Sequence, residues 1–258
     1  LGGFRYGGEF IETTSEHIGL RVLVDRGAID RPIREVANFL QRVAVYQEPD
    51  LWNLRWQGSN ASEDRDLQTR GGNALAVLRR WLQDRTQQHR YDFVIGGMAS
   101  AFPNIFKTLD FEAAGNTLVA RVYRPNNEVP SQLSDEANGV LQLLVLLCGV
   151  ASSNEGGVAA IDEPENGLHP YALRAFLRKA RQWANRHHVT VLLATHSTVL
   201  LDEFSEKPEC VYVMKKLNND SESRPTRLDK LCDKEWLEGF KLGDLYEQGE
   251  IGSNDDKD

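Results

Sequence analysis

At 258 residues, 41% of them hydrophobic and 26% charged, the chain has room for one large α/β domain or two modest ones, and disorder is expected only locally. Its net charge of −8 does not favour non-specific binding to nucleic acid, although a local basic patch remains compatible with it. Cys148, Cys210 and Cys232 are widely spaced, with no CxxC or Cys/His ligand spacing, which argues against a disulfide framework or a zinc site and fits a reducing cytosol.

In chain order, HIGLRVLVDRG (17–27) alternates with Ile18, Leu20, Val22 and Val24 on one side, which predicts a half-buried antiparallel strand. RVAVYQEP (42–49) is a second, shorter strand candidate, and the polar, glycine-rich stretch 58–73 reads as a loop. Leu75, Leu78, Trp81, Leu82 and Arg85 then recur at helical spacing. A short helix is expected from Phe93 to Phe102, stopped by Pro103, and NTLVARVYR (116–124) alternates as a strand. Residues 73–125 thus look like a small helical and β insertion.

After Pro130 the texture changes. GVLQLLVLLCGVA (139–151) is apolar almost all round, as a buried helix is. GVAAI (157–161), VTVLLA (189–194) and ECVYVMKK (209–216) read as strands, and a helix opening at Pro170 separates the first two. Strand–helix alternation predicts an α/β fold with a parallel sheet and crossover helices. NDDKD (254–258) reads as a charged tail. No apolar run reaches the roughly 18 residues of a membrane span, and no signal-peptide pattern opens the chain.

The first apolar strand ends in two adjacent carboxylates, Asp162 and Glu163, followed by a proline and a glycine turn. In parallel sheets ligands bind beyond the carboxyl ends of strands. Adjacent carboxylates repel, so placing them beside a buried strand costs free energy unless a cation or a reaction uses them. The next strand ends in Thr195, His196 and Ser197. For nucleotide hydrolysis, Asp162 would hold Mg²⁺, a hard cation that keeps much of its water, and Glu163 would orient or deprotonate the attacking water. His196 would contact the γ-phosphate, and Asn166, Gly167 and His169 form the following turn. The bland alternative for the acid pair is a helix N-terminus stabilised by the dipole. Ser134 and Asp135 are N-cap types ahead of the apolar helix, so its N-terminus reads as either an anion site or ordinary capping.

LSDE (133–136), AAIDEP (159–164), ENGLHP (165–170) and LLATHS (192–197) together resemble the signature, Walker B, D-loop and histidine switch of ABC-type ATPases, in order. The wording DEPENGLHP, with RGGNALAVLRRWL (70–82) and LGDLYEQGEIGS (242–253), resembles the OLD-like and RecF/SMC-like branch of ABC-type AAA-family ATPases found in bacterial defence systems. The resemblance implies an ABC-type P-loop NTPase fold: 1–72 a partial N-terminal lobe of the ATPase head, 73–125 the insertion and 126–258 the ATPase core. It also implies ATP and Mg²⁺ as ligands and head-to-tail dimers or higher oligomers that sandwich ATP. Ser134 and Asp135 would face the nucleotide of the partner subunit. Asp162, Glu163 and His196 would act on the nucleotide of their own. An effector nuclease is an implied partner, nucleic acid is compatible though not indicated by charge, and no membrane is expected. Transporter subunits resemble the chain less, since 73–125 does not read as a transporter helical subdomain.

Two departures stand out. Glu136 occupies a position where the family usually has glycine, where it would either repel a phosphate or be turned aside. No G-x-x-x-x-G-K-[ST] occurs in the 258 residues, and GGFRYGG (2–8) lacks the lysine and hydroxyl in register. In the family that loop lies upstream. The expectation is therefore an active ATPase in the complete protein and no activity from this stretch by itself. A catalytically silent scaffold assembling with a partner is the competing reading.

Among the remaining residues, Arg174, Arg178, Lys179, Arg181 and Arg186 read as a solvated helix face. Trp52 and Trp56 read as core or interface, Cys148 as core, and His187 and His188 as a helix end favoured by its negative pole.

Overall fold

The computed structural model describes residues 2–6, 9–13, 31–60, 66–216, 223–237 and 239–251. The strand expected at 17–27 and the charged tail at 254–258 lie outside them. Gly2–Tyr6 (β1) and Glu9–Thr13 (β2) pair antiparallel, Phe4 opposite Ile11, so the glycine-rich opening contributes a strand. Arg31–Leu40 (α1) leads into Val43–Tyr46 (β3), and Asp50 caps Leu51–Trp56 (α2) by accepting the Asn53 N–H at 3.1 Å.

The polar stretch after α2 holds a two-residue strand, Ser59–Asn60 (β4). Ser59 is fully buried and ties this stretch to the next helix, Ala74–Gln83 (α3). Its hydroxyl donates to the Gly72 carbonyl at 2.9 Å and accepts the Leu75 N–H at 3.1 Å. The helix expected from Phe93 begins earlier, at Gln88, and runs to Ala101 (α4). Thr108–Ala114 (β5), Thr117–Arg124 (β6) and Asn127–Gln132 (β7) form an antiparallel meander, with β4 and β7 also pairing with β6. Only β6 alternates cleanly, burying Leu118, Ala120 and Val122. β7 carries Pro130, which suits an edge that pairs on one side. This four-stranded sheet, with β4 before residue 73 and β7 after residue 125, reaches beyond the 73–125 stretch on both sides, and α3 and α4 share one hydrophobic core with α5 and α6.

That core is centred on Asn138–Ser152 (α5), in which every residue from Val140 to Ser152 is buried. Each leucine it buries contributes about 1.5–3 kcal/mol. α5 lies against α4 and against Pro170–His187 (α6). The central sheet is parallel: β3 pairs with Val158–Asp162 (β8), which pairs on its other side with Thr190–Ala194 (β9). The architecture is thus α/β, a parallel sheet with helices packed on it and separate antiparallel sheets.

One strand expectation is corrected. The 189–194 run forms β9 as read, an edge among the described strands, with Val191 and Leu193 packed inward and Leu192 57% exposed. Val45 on β3 is likewise 46% exposed, so the helices cover one face of this sheet. The expectation overturned is that the 209–216 strand extends the parallel alternation. Tyr212–Lys216 (β10) pairs antiparallel with Ser223–Arg227 (β11), and it is β3, from the N-terminal part, that lies beside β8.

Beyond β9, a short helix Thr198–Asp202 (α7) carries the chain away from the sheet. The C-terminal part, with β10, β11, Lys234–Leu237 (α8) and Leu242–Glu247 (α9), has a second small core of Leu228, Leu237, Leu242, Leu245 and Ile251. Leu201 and Phe204 pack against that core from the α7 side. Among the described residues no helix is long and apolar enough to cross a membrane.

Candidate functional site

The parallel register sets Asp162, the last residue of β8, opposite Ala194, the last of β9. The pairing continues one step further, because the Glu163 N–H donates to the Ala194 carbonyl at 2.8 Å. The acid pair and the Thr195–His196–Ser197 loop therefore leave neighbouring strand ends side by side.

Glu163 has φ of 44°, in the left-handed region that disfavours an L side chain. Such a conformation persists where its surroundings over-determine it, and it clusters at functional sites. Here the turn is held twice: the Asn166 N–H donates to the Glu163 carbonyl at 3.1 Å, and the Asn166 amide donates to Glu163 Oε2 at 2.8 Å. A second turn follows, closed by the Leu168 N–H on the Glu165 carbonyl at 2.9 Å, and Gly167 supplies the left-handed φ of 72°. His169 then caps α6. Its Nδ1 accepts the Tyr171 N–H at 3.2 Å, so the proton of the neutral ring lies on Nε2, and Pro170 opens the first turn.

The third carboxylate, Glu165, bridges the two strand ends. Its Oε1 accepts the Thr195 hydroxyl at 2.7 Å and the His196 N–H at 2.9 Å. Its Oε2 is buried with no partner among the described residues. Thr195 Oγ1 in turn accepts the Ser197 N–H at 2.9 Å, and Ser197 caps α7. His196 Nδ1 lies 2.7 Å from the Tyr246 hydroxyl. Sequence reasoning missed both Glu165 and Tyr246. Glu165 sits within the quoted DEPE run, but only the strand pairing shows that it reaches across to β9. Tyr246 lies 50 residues from His196, and no spacing signal links them.

Ser134 and Asp135 do not cap α5, which removes the ordinary-capping alternative. They lie in a 3₁₀ turn, Leu133–Asp135, and the helix begins at Asn138 after Ala137 with no side-chain cap. The turn is anchored by α2: Arg55 donates to the Ser134 carbonyl and, at 2.7 Å, to Asn138 Oδ1. The Ser134 hydroxyl stands 3.4 Å from Asp135 Oδ1. Gly139 joins this region to the acidic turn, since a Cβ there would sit 2.9 Å from the Gly167 carbonyl oxygen. Glu136 is turned aside. It is 5% exposed, and its Oε1 takes the Arg124 guanidinium at 2.7 Å and the Ser131 hydroxyl at 2.6 Å. Its charge is thereby paired inside the protein and not presented to an incoming phosphate.

Three further expectations change. Trp52 and Trp56, flanking Arg55, are 63% and 66% exposed, so neither is a core residue. Arg174 and Arg181 are not merely solvated, since both pair with Glu203 just beyond α7, at 3.3 and 3.7 Å. His187 stacks on His89 and packs tilted against Trp183, and burial, then the neighbouring His89 and Arg186, hold its pKa below the usual imidazole value. A favourable charge at the helix end is therefore not its role. Cys148 is fully buried, which pushes its thiol pKa up.

Chemically, the strand ends offer hard carboxylate oxygens beside a histidine and hydroxyl groups. Among the described residues no three His, Cys, Asp or Glu side chains converge to cage a metal. An exposed Asp162 at a strand end suits Mg²⁺, which binds through one or two carboxylates and completes its shell with water and phosphate oxygens.

Residues 45–202 match the model of the family described as "AAA domain, putative AbiEii toxin, Type IV TA system". The matched segment runs from β3 to the end of α7 and takes in Ser134, the whole turn from Asp162 to His169, and His196. No curated protein matches the chain. With well over half of its 258 residues matched, the chain belongs to this family of AAA domains, a family of nucleotide-binding ATPases.

Proposed function

We propose that this protein is an ABC-type ATPase head that closes as a dimer around Mg-ATP and hydrolyses it, in anti-phage defence or DNA maintenance. The observation that carries the reading is the adjacency of the β8 and β9 ends, which brings Asp162, Glu163 and His196 together around Glu165. Glu163 takes the proton of the attacking water as the new oxygen–phosphorus bond forms and the bond to the bridging oxygen of the diphosphate breaks. Asp162 would hold Mg²⁺, whose charge offsets that of the phosphates when bound. His196 donates a hydrogen bond to the γ-phosphate. The Ser134–Asp135 turn, on the α5 side of the molecule, faces the nucleotide of the second subunit, and the inward-turned Glu136 leaves that approach free of its charge. Asn166 and Gly167 hold the turn that carries Glu163, and His169 fixes its far end. The toxin–antitoxin wording of the family description supports a defence role. An effector nuclease is the partner class of this reading.

The 258 residues contain no phosphate-gripping G-x-x-x-x-G-K-[ST] loop, so the natively expressed polypeptide, with any sequence preceding Leu1, is the form to assay. In that polypeptide Glu163→Gln is expected to lower ATP turnover by about 10²–10⁴-fold while nucleotide binding survives. Normal turnover in this variant would remove Glu163 as the base. A second reading is a catalytically silent scaffold that assembles with an effector. A native polypeptide that neither binds nor hydrolyses Mg-ATP would decide for that reading.

A further inference from the structure

We infer that Tyr246 is a positioning residue that sets the tautomer of His196, and that through it the C-terminal unit governs the histidine. The inference rests on the reading of His196 as a donor to the terminal phosphate.

The histidine is held at two points on different elements. Its backbone N–H is fixed by Glu165 Oε1 at 2.9 Å, which comes from the acidic turn. Its ring is met at Nδ1 by the Tyr246 hydroxyl at 2.7 Å, which comes from α9. The first contact sets where the loop lies, and it is indifferent to the ring. The second decides what the ring can do. A neutral imidazole has one N–H and one lone pair, and the hydrogen bond at one nitrogen dictates the state of the other. When the phenol donates to Nδ1, the ring proton resides on Nε2, which is then an N–H donor. Phosphate oxygens at neutral pH are acceptors, so only this tautomer of the neutral ring can contact them through Nε2. In the opposite tautomer Nδ1–H donates to the phenol oxygen and Nε2 offers phosphate a lone pair.

Tyr246 is itself firmly placed by a core separate from that of the ATPase segment. Its neighbour Leu245 and the helix start Leu242 are buried with Leu228, Leu237 and Ile251. α9 lies flush on α7. The Gly243 N–H donates to Asp202 Oδ1 at 2.9 Å, the Leu242 N–H donates to Ser205 Oγ at 3.1 Å, and a Cβ on Gly243 would sit 2.7 Å from the Thr198 carbonyl oxygen. Ser197, the cap of α7, directly follows His196. A shift of the C-terminal unit along α7 would therefore withdraw the phenol and release the ring, while the Glu165 contact still held the backbone. The arrangement links the packing of residues 223–251 to the hydrogen-bonding state of a residue at the nucleotide.

The test has two readouts. Histidine ¹⁵N shifts of the chain at about pH 8, above the usual imidazole range, report the tautomer of His196 directly and need no nucleotide. The expected result is an Nε2–H ring in the wild type and a mixed or Nδ1–H ring in Tyr246→Phe, which keeps the aromatic bulk. In the natively expressed polypeptide Tyr246→Phe is expected to lower kcat about tenfold, less than direct loss of a transition-state donor, with nucleotide affinity unchanged and no further effect in a His196→Ala background. An Nδ1–H ring in the wild type, or an unchanged spectrum in Tyr246→Phe, overturns the inference. If Tyr246→Phe fails to fold, Gly243→Ala, which obstructs the seating of α9 on α7, must produce the same tautomer change, and an unaltered ring in that variant also overturns it. Wild-type turnover in His196→Ala, while the wild type and Tyr246→Phe still show the expected tautomers, would instead overturn the role of His196 in hydrolysis, so the two failures leave different traces.

Discussion

Replacing Glu136 by glutamine tests whether the carboxylate at the signature-like turn is a structural anchor. Its Oε1 accepts a guanidinium N–H at 2.7 Å and a hydroxyl at 2.6 Å, and the side chain is 5% exposed. Breaking a fully buried ion pair by removing one partner costs about 3–5 kcal/mol, because a charge is left uncompensated. Arg124, however, is 32% exposed, so its guanidinium regains water when Glu136 is neutralised. Glutamine also keeps an acceptor for Ser131. The cost should therefore fall near about 2 kcal/mol, within the range for hydrogen bonds to charged groups. For a domain of this size that is about 4–8 °C in Tm. Urea denaturation of the wild type, Glu136→Gln, Arg124→Gln and the double variant would give both the cost and the coupling energy between the partners, expected to be at least about 1 kcal/mol. An unchanged unfolding midpoint in Glu136→Gln, or strict additivity in the cycle, would refute the assignment. Glu136→Gly is expected to be less stable still, since it loses the pair and adds backbone freedom.

Thiol labelling of the folded chain is expected to modify exposed Cys210 and to spare Cys148, which should react only as the protein unfolds; equal labelling of both under native conditions would contradict the buried placement of α5. The pKa of His187 is held below its ordinary value near 6.5, so on acidification the unfolded chain takes up that proton before the folded one. Its contribution is fully present above about pH 6.5 and is lost as pH falls through the lower folded-state value. His187→Gln should flatten the fall in stability between about pH 7 and 5, measured by urea midpoints, and an unaltered pH profile would show that the packing against Trp183 and His89 does not control the titration.

Much of the organisation was legible without coordinates wherever one local signal dominated. The all-round apolar run at 139–151 could only be a buried helix, and Pro170 marked the start of α6 to the residue. β8 and β9 announced themselves as apolar runs ending in Asp162–Glu163 and Thr195–His196, so the strand ends that carry the candidate site were readable as a pair. Where the signal was weak or shared, the reading failed. β7 carries no run of alternating apolar residues, and the short alternation of Leu109, Phe111 and Ala113 in β5 was not read as a strand; both are held by pairing with β6. Tyr212–Lys216 has the composition of a sheet-core strand, yet it pairs with Ser223–Arg227, and nothing in its own residues distinguishes the two partners.

The sequence by itself determined the chemistry available at the strand ends, because residue type and strand polarity are local properties of the chain. Tertiary structure decided how that chemistry is held. Glu163 takes a left-handed φ because the turn to Asn166 and the bond to Ala194 over-determine it. Glu136 is neutralised by Arg124, 12 positions away on a neighbouring strand. Glu165 reaches His196 across 31 positions, and Tyr246 reaches it across 50. Hydrogen bonds of that sequence separation have no periodicity to betray them. They are set only when parallel pairing of β8 with β9, and the seating of α9 on α7, bring distant parts of one chain within 3 Å.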